Sequence, residues 1–343
     1  VAHPAYVLAW GDLDRDGDLD LVTGAYDAGF LTDRGTEYLL GAGSGVYVYE
    51  NRNGAFASPT KLASNAQALA LAILDLNRDD LPDLLVGNDF DVPDYAFVQT
   101  GAGLGPDGWA PADPFAVTTH STMSLDMGDV DNDGEAEIFA SDMKPIARDP
   151  ATLAAWMPLM QSGFESRRYR DAQRNENMLQ MRNRRGDFRN EAYRRGLDAT
   201  GWSWSGKFGD LDNDGLLDLY VVNGMIEAEI FAHLPGHELV EENQALRNLG
   251  GRYAPAPAWG LNSTRSGRSM IMADLDSDGD LDIVVNNLRT PAQLFENRLC
   301  GGESLAVELE WRESDNPAAL GATVTLQTTA GPLYRSVVGQ RGY

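Results

Sequence analysis

YVLAWGDLDRDGDLDLVTG (Tyr6–Gly24) sets an acidic nonapeptide between two short apolar runs, and the same arrangement returns four more times. The copies are DLDRDGDLD (Asp12–Asp20), DLNRDDLPD (Asp75–Asp83), DVDNDGEAE (Asp129–Glu137), DLDNDGLLD (Asp210–Asp218) and DLDSDGDLD (Asp274–Asp282). Oxygen side chains fall at positions 1, 3, 5 and 9 of each, and four copies carry Gly at position 6. A hard divalent cation takes six to eight oxygen ligands at about 2.3–2.6 Å, which a short loop supplies only if alternate residues face inward and the chain turns sharply. Gly serves such a turn because it accepts positive φ without a Cβ clash. Position 7 varies freely in side chain, as expected where only its backbone carbonyl binds. The expected ligands are therefore Asp12, Asp14, Asp16, Asp18 and Asp20; Asp75, Asn77, Asp79, Leu81 and Asp83; Asp129, Asp131, Asp133, Glu135 and Glu137; Asp210, Asp212, Asp214, Leu216 and Asp218; and Asp274, Asp276, Asp278, Asp280 and Asp282. Up to five Ca²⁺ ions are expected, one per loop.

An EF-hand begins similarly but ends with Glu at position 12 and lies between amphipathic helices. Here the flanks are short β-rich runs closed by Gly or Asn: Tyr6–Trp10 and Leu19–Gly24, Leu69–Leu74 and Leu84–Gly87, Ile271–Ala273 and Leu281–Asn286. Each unit reads as strand, cation loop, strand. Loop spacings of 63, 54, 81 and 64 residues indicate propeller blades of several short strands. The first blade adds Val46–Asn51 after the turn Gly41–Gly45, then a weaker fourth strand near Pro59–Ala63. The predicted fold is all-β, a β-propeller of four-stranded blades with helical insertions. Expected helices are Asp149–Met160, with Asp149 as N-cap and Pro150 at the first helical position, then Glu165–Met181, and a second insertion over Glu227–Gln244.

Composition agrees with a folded, cation-loaded chain. Of 343 residues, 43% are hydrophobic, well above what a disordered acidic tail carries. The formal charge of −25 would fall to −15 with five divalent ions bound. This acidity argues against nucleic acid as a partner. Cys300 is the single cysteine, so no intrachain disulfide forms, and calcium at extracellular levels is expected to take over the stapling role. The chain starts at Val1 without Met, which reads as processed or trimmed. No apolar run reaches the ~20 residues of a membrane-spanning helix. Ten arginines between Arg167 and Arg195 form a basic patch on this acidic body. They either pair with neighbouring acids or dock an acidic partner, including an anionic glycan or a second copy of the chain.

The loops with their trailing strands LDLVTG, PDLLVGN, LDLYVVNG and LDIVVNN resemble the FG-GAP/VCBS repeats of integrin α-subunits and bacterial secreted proteins. GWSWSGKFGDLDNDGLLDLYVVNG (Gly201–Gly224), preceded by MLQMRNRRGDFRNEAYRRGL (Met178–Leu197), resembles the cartilage acidic protein family. NPAALGATVTLQTTAGPLYRSVVGQRGY (Asn316–Tyr343) is similar to the start of that family's ASPIC/UnbV domain. The resemblance implies a calcium-loaded propeller, usually seven-bladed, secreted or displayed at the cell surface. It divides the chain into a propeller over 1–298, with a helical insertion at about 149–182, and an incomplete β segment over 303–343, including strands at Leu305–Leu309 and Ala322–Thr328. Five blades are visible, so either the ring closes with five or further blades lie outside this sequence. Loop 2 departs from the pattern at Asn77, Asp80 and Pro82, predicting a formed but weaker site, and loop 3 ends in the longer Glu137.

No catalytic constellation emerges. Among His3, His120, His233 and His237, the last two are spaced i, i+4, but Pro235 interrupts any shared helical face. No GxSxG, P-loop or dinucleotide fingerprint stands in context. Trp202 and Trp204 read as core packing, and Asn262-Ser263-Thr264 is a formal glycosylation acceptor. Two functions remain. One is a non-enzymatic extracellular calcium-binding module for adhesion, surface display or self-assembly. The other is a polysaccharide lyase or hydrolase on a calcium-stabilised propeller, which would need a base beside a cleft. The three lysines, Lys61, Lys144 and Lys207, lie in no recognisable motif.

Overall fold

A computed structural model describes residues 5–26, 44–89, 92–162 (of 158–162 the backbone only), 172–299, 304–312, 314–329 and 331–337. The expected turn residues 41–43, and His3, Arg167, Arg168, Arg170 and Cys300, lie outside them. The fold is a β-propeller-like succession of antiparallel sheets in two compact units. One comprises Val1–Ala116, His120–Leu125 and Val307–Arg341; the other comprises Val117–Thr119, Asp126–Ala306 and Gly342–Tyr343.

In the first unit, β1 (Val7–Gly11), β2 (Asp20–Gly24), β3 (Val46–Tyr49) and β4 (Thr60–Ala63) form one blade in sequence order. A second blade contains β5 (Ala68–Leu74), β6 (Asp83–Asn88), β7 (Tyr95–Gln99) and β8 (Trp109–Ala112). The middle strands β2 and β6 are buried along their whole length, which explains the apolar runs Leu21–Val22 and Leu84–Val86 within them. Val22, Val48, Leu71, Leu84 and Val86 meet in one core that the two blades share.

Next come the short strand β9 (Thr118–Thr119) and β10 (Ser124–Gly128), within which the boundary between the units falls. The third blade has the order β10, β11 (Glu137–Ser141), β14 (Met178–Arg182), β15 (Phe188–Asn190). Between its second and third strands lie β12 (Met143–Lys144), a helix over Pro150–Ser162 and β13 (Gln173–Arg174), which pairs in parallel with β9. The fourth blade, β16 (Gly201–Gly209), β17 (Asp218–Asn223), β20 (Gln244–Asn248) and β21 (Tyr253–Pro255), annexes β12 at its edge. Its insertion carries the paired strands β18 (Met225–Ile226) and β19 (Glu238–Leu239). The fifth blade shows three strands among the described residues, β22 (Gly267–Ala273), β23 (Asp282–Asn287) and β24 (Gln293–Phe295). The hairpin of β25 (Thr323–Thr328) and β26 (Gly331–Ser336) belongs to the first unit.

The first helix matches expectation: Asp149 Oδ1 accepts the N–H groups of Ala151 and Thr152 at 3.0 and 3.1 Å, ahead of Pro150. Three expectations are corrected. Within Glu165–Met181 the described residues from 172 onward are not helical, and Met178–Arg182 is a strand paired to β11 (Phe139↔Leu179), so the insertion does not extend to 182. Pairing in the blade overrides a run of good helix formers. Glu227–Gln244 is not a helix either; a 3₁₀ turn at Pro235–His237, with Gly236 at φ 66°, breaks it into turns and short strands. Leu305–Leu309 is unpaired rather than a strand, and Leu305 and Val307 are exposed. Trp202 is core, its ring 5.7 Å from Trp156 and 5.2 Å from Phe231, while Trp204 is half-buried under the Arg268 guanidinium.

Candidate metal centres

Every acidic nonapeptide occupies the turn between the first and second strands of its blade, and its ninth residue is the first residue of the second strand. That residue, Asp20, Asp83, Glu137, Asp218 or Asp282, is at most 3% exposed. In all five loops it accepts the backbone N–H of position 2: Leu13 at 2.9, Leu76 at 2.8, Val130 at 2.9, Leu211 at 3.0 and Leu275 at 3.1 Å. Position 1 accepts the N–H of position 6, from Gly17 (3.2 Å), Asp80 (2.9 Å), Gly134 (2.9 Å), Gly215 (2.9 Å) and Gly279 (3.1 Å). Position 5 accepts the N–H of position 7 at 2.9–3.0 Å in each. Three carboxylates thus fold the loop around themselves.

Two left-handed residues make this possible. Position 6 has φ of 92°, 67°, 94°, 89° and 94° in loops 1 to 5, with Asp80 entering the region that Gly occupies elsewhere. Position 4, unnoticed in the sequence, is also left-handed, at Arg15, Arg78, Asn132, Asn213 and Ser277 (φ 54–66°). Asn at two of these sites is the available signal, because Asn tolerates this conformation best after Gly.

Carboxylate oxygens then converge. Ligand atoms of Asp12, Asp14 and Asp20 lie within 4.8 Å of one another, as do those of Asp129, Asp131 and Glu137, of Asp210, Asp212 and Asp218, and of Asp274, Asp276 and Asp278. Loop 2 contributes no such trio among the described residues. Burial drives the ninth residues upward, to about 7 for Asp20 and Asp218, about 6 for Asp83 and about 8 for Glu137, against two backbone donors to each of the three aspartates and one to Glu137. Burial likewise raises Asp12, Asp14, Asp129 and Asp212. Asp12 Oδ1, Asp131 Oδ1 and Asp212 Oδ1 are buried without a hydrogen-bond partner. Converging, desolvated, unpartnered oxygens with no nitrogen or sulfur donor among them fit a hard divalent cation.

Two further sets of residues support the loops. Arginines pair with loop carboxylates in the second unit: Arg195 Nη2 with Asp131 Oδ2 at 2.8 Å, Arg182 with Glu135 at 3.5 Å, and Arg247 with Asp212 Oδ2 at 2.6 Å and Asp214 Oδ2 at 3.0 Å. Members of the basic stretch thus neutralise acids locally, while Arg184, Arg185 and Arg189 remain exposed on and beside the β14–β15 hairpin. Second, an Asn or Gln at or just past the third strand donates its backbone N–H to the ninth carboxylate, from Asn51, Gln99, Asn248 and Asn297, each at 2.8 Å. The side-chain amides of Gln99, Asn248 and Asn297 reach the position-2 carbonyl of an earlier loop, Leu13, Val130 and Leu211 respectively, each at 2.8 Å. A lone amide after a short apolar run is the trace of this role in the sequence.

No helix among the described residues is long and apolar enough to cross a membrane. No family model matches the chain. A stretch of 106 residues, 29% of the chain, is 39% identical to integrin alpha-7 of Rattus norvegicus, of which it covers 9%; the Homo sapiens integrin alpha-7 matches at the same identity with 8% covered. The chain therefore spans less than a tenth of the length of the integrins it matches. Among solved structures, the V. cholerae biofilm matrix protein Bap1 aligns with 88% of the chain and 41% of its own (TM-score 0.44, 14% identity), and BBS1N, solved in complex with ARL6DN, aligns with 99% and 94% (TM-score 0.36, 9% identity). The integrin match and the blade architecture agree on FG-GAP-like propeller repeats.

Proposed function

We propose that this protein is a non-enzymatic, extracellular calcium-binding module for adhesion or matrix assembly. The observation that carries the reading is the repeated loop: five copies with one hydrogen-bond plan, at one corner of each blade, four with converging carboxylates. Their ligands are positions 1, 3, 5, 7 (backbone carbonyl) and 9. Calcium in them would cancel a repulsion that otherwise opposes folding, so that binding free energy becomes folding free energy. The likeness to integrin alpha-7 supports a surface or secreted location. We assign residues 1–298 to the propeller and 303–343 to an ASPIC/UnbV-like segment, most of which, Val307–Arg341, belongs to the same compact unit as the first two blades. The exposed Arg184, Arg185 and Arg189 offer an acidic protein or glycan, or a second copy of the chain, a cationic docking face.

Equilibrium dialysis with calcium, followed by retention of the protein on matrix-coated surfaces with calcium or chelator, tests this. Four to five ions bound and calcium-dependent retention are expected. Absence of calcium uptake at millimolar concentration overturns the reading.

A further inference from the structure

We infer that the loops of the second unit, loops 3, 4 and 5, take up their cations cooperatively, with Asn132 and Asn213 as the positioning residues that tie each loop to the next. This rests on the cation reading above. Both asparagines sit at position 4 in the left-handed conformation, and each reaches the next loop with its side-chain amide. Asn132 Nδ2 donates to the Gly215 carbonyl of loop 4 at 3.1 Å. Asn213 Nδ2 donates to Asp280 Oδ1 of loop 5 at 2.6 Å.

The atoms that receive these bonds matter. The Gly215 N–H holds Asp210 Oδ2, the position-1 carboxylate, so Asn132 grips a residue that also fixes a ligand of the next loop. Asp280 is position 7 of loop 5, whose own N–H is held by Asp278 Oδ1. A second tie runs beside each. Asn248 joins the Val130 carbonyl of loop 3 to Asp218 of loop 4, and Asn297 joins the Leu211 carbonyl of loop 4 to Asp282 of loop 5. Neighbouring loops therefore share two bridges, one at the mouth and one at the buried ninth residue.

A cation-free loop carries mutually repelling carboxylates and gains conformational freedom. Loading one loop orders its position-4 amide and so removes part of the ordering cost that its neighbour must otherwise meet. By linkage the benefit is reciprocal. A bridge the size of one net hydrogen bond corresponds to about a fivefold change in affinity.

The experiment is a calcium titration of the full chain from the chelated state by calorimetry, on the unaltered protein and on Asn132→Gly, Asn213→Gly and Ser277→Gly. Glycine keeps the left-handed backbone while deleting the side chain, so loss of fold is not the expected outcome. Ser277, position 4 of loop 5, makes no side-chain bridge among the described residues and is the control. The unaltered protein should give a steeper isotherm than independent sites allow. Asn132→Gly and Asn213→Gly should each flatten it and raise half-saturation about fivefold for the affected ions, while Ser277→Gly leaves the slope unchanged. Independent sites in the unaltered protein, or unchanged steepness in both asparagine variants, overturn the coupling while leaving calcium binding intact. Absence of calcium uptake overturns both.

Discussion

Loops 2 and 4 have the same backbone and opposite interiors. In loop 4, Asp210, Asp212 and Asp218 converge, Asp212 Oδ1 is buried without a partner, and Arg247 holds the outer oxygens of Asp212 and Asp214. In loop 2, Asn77 replaces the third-position carboxylate and donates to Asp79 Oδ2 at 2.9 Å, while Asp75 Oδ1 collects the N–H groups of Asn77, Arg78 and Asp79. One loop is left short of positive charge; the other satisfies itself with an amide. Loop shape is set by backbone N–H groups bonding to positions 1, 5 and 9, and demand for a cation by how many carboxylates remain in the middle.

The largest expected effect comes from removing calcium altogether. Excess EGTA should lower the melting temperature by roughly 10–20 °C, if several sites each contribute a few kcal/mol. An unchanged calorimetric transition would sink the cation-dependent account of loop 4 and its counterparts.

Single substitutions should separate the two loops. Asp212→Asn deletes a carboxylate beside buried oxygens and half of the Arg247 pairing, and should cost loop 4 about tenfold to hundredfold in calcium affinity, the range for a hydrogen bond to a charged group. Asn77→Ala removes a neutral ligand together with both side-chain hydrogen bonds to Asp79, and should cost about 1 kcal/mol of stability and less than about tenfold in loop 2 affinity. Comparable affinity losses in the two variants would erase the distinction. The reverse substitution, Asn77→Asp, should make loop 2 resemble loop 4, raising its calcium affinity about tenfold and lowering stability in chelator.

pH offers a finer test. In the calcium-free chain, Asp20, Asp83, Glu137 and Asp218 are raised above their ordinary values by burial. The stability they contribute is full below about pH 4 and is lost as pH rises through about 6 for Asp83, about 7 for Asp20 and Asp218 and about 8 for Glu137. Chelated protein should therefore melt higher at pH 5 than at pH 8, and calcium-loaded protein lower, because the ion competes with protons. The same sign in both conditions would count against these carboxylates as ligands. The smallest expected effect is at Asp80, where φ is 67°. Asp80→Gly should raise stability by about 0.5 kcal/mol or less, the strain of a non-Gly residue in that region offset by the greater freedom of Gly when unfolded.

The sequence alone determined the loops and their strands, because oxygen donors at alternate positions, a mid-loop Gly and short β-rich flanks are local patterns with local causes. It identified the helix after Asp149 from its cap. What only the tertiary structure decided depends on partners distant in the chain. Met178–Arg182 is a strand because β11 is beside it, although its residues suit a helix. Arg195 and Arg247 became counter-ions for Asp131 and for Asp212 and Asp214 through contacts 64, 35 and 33 residues away in sequence. Asn248 and Asn297 became ties between loops because each lies where a third strand ends beside an earlier loop's carbonyl. A lone amide or arginine has no periodicity to betray it, and its role exists only once the blades have stacked.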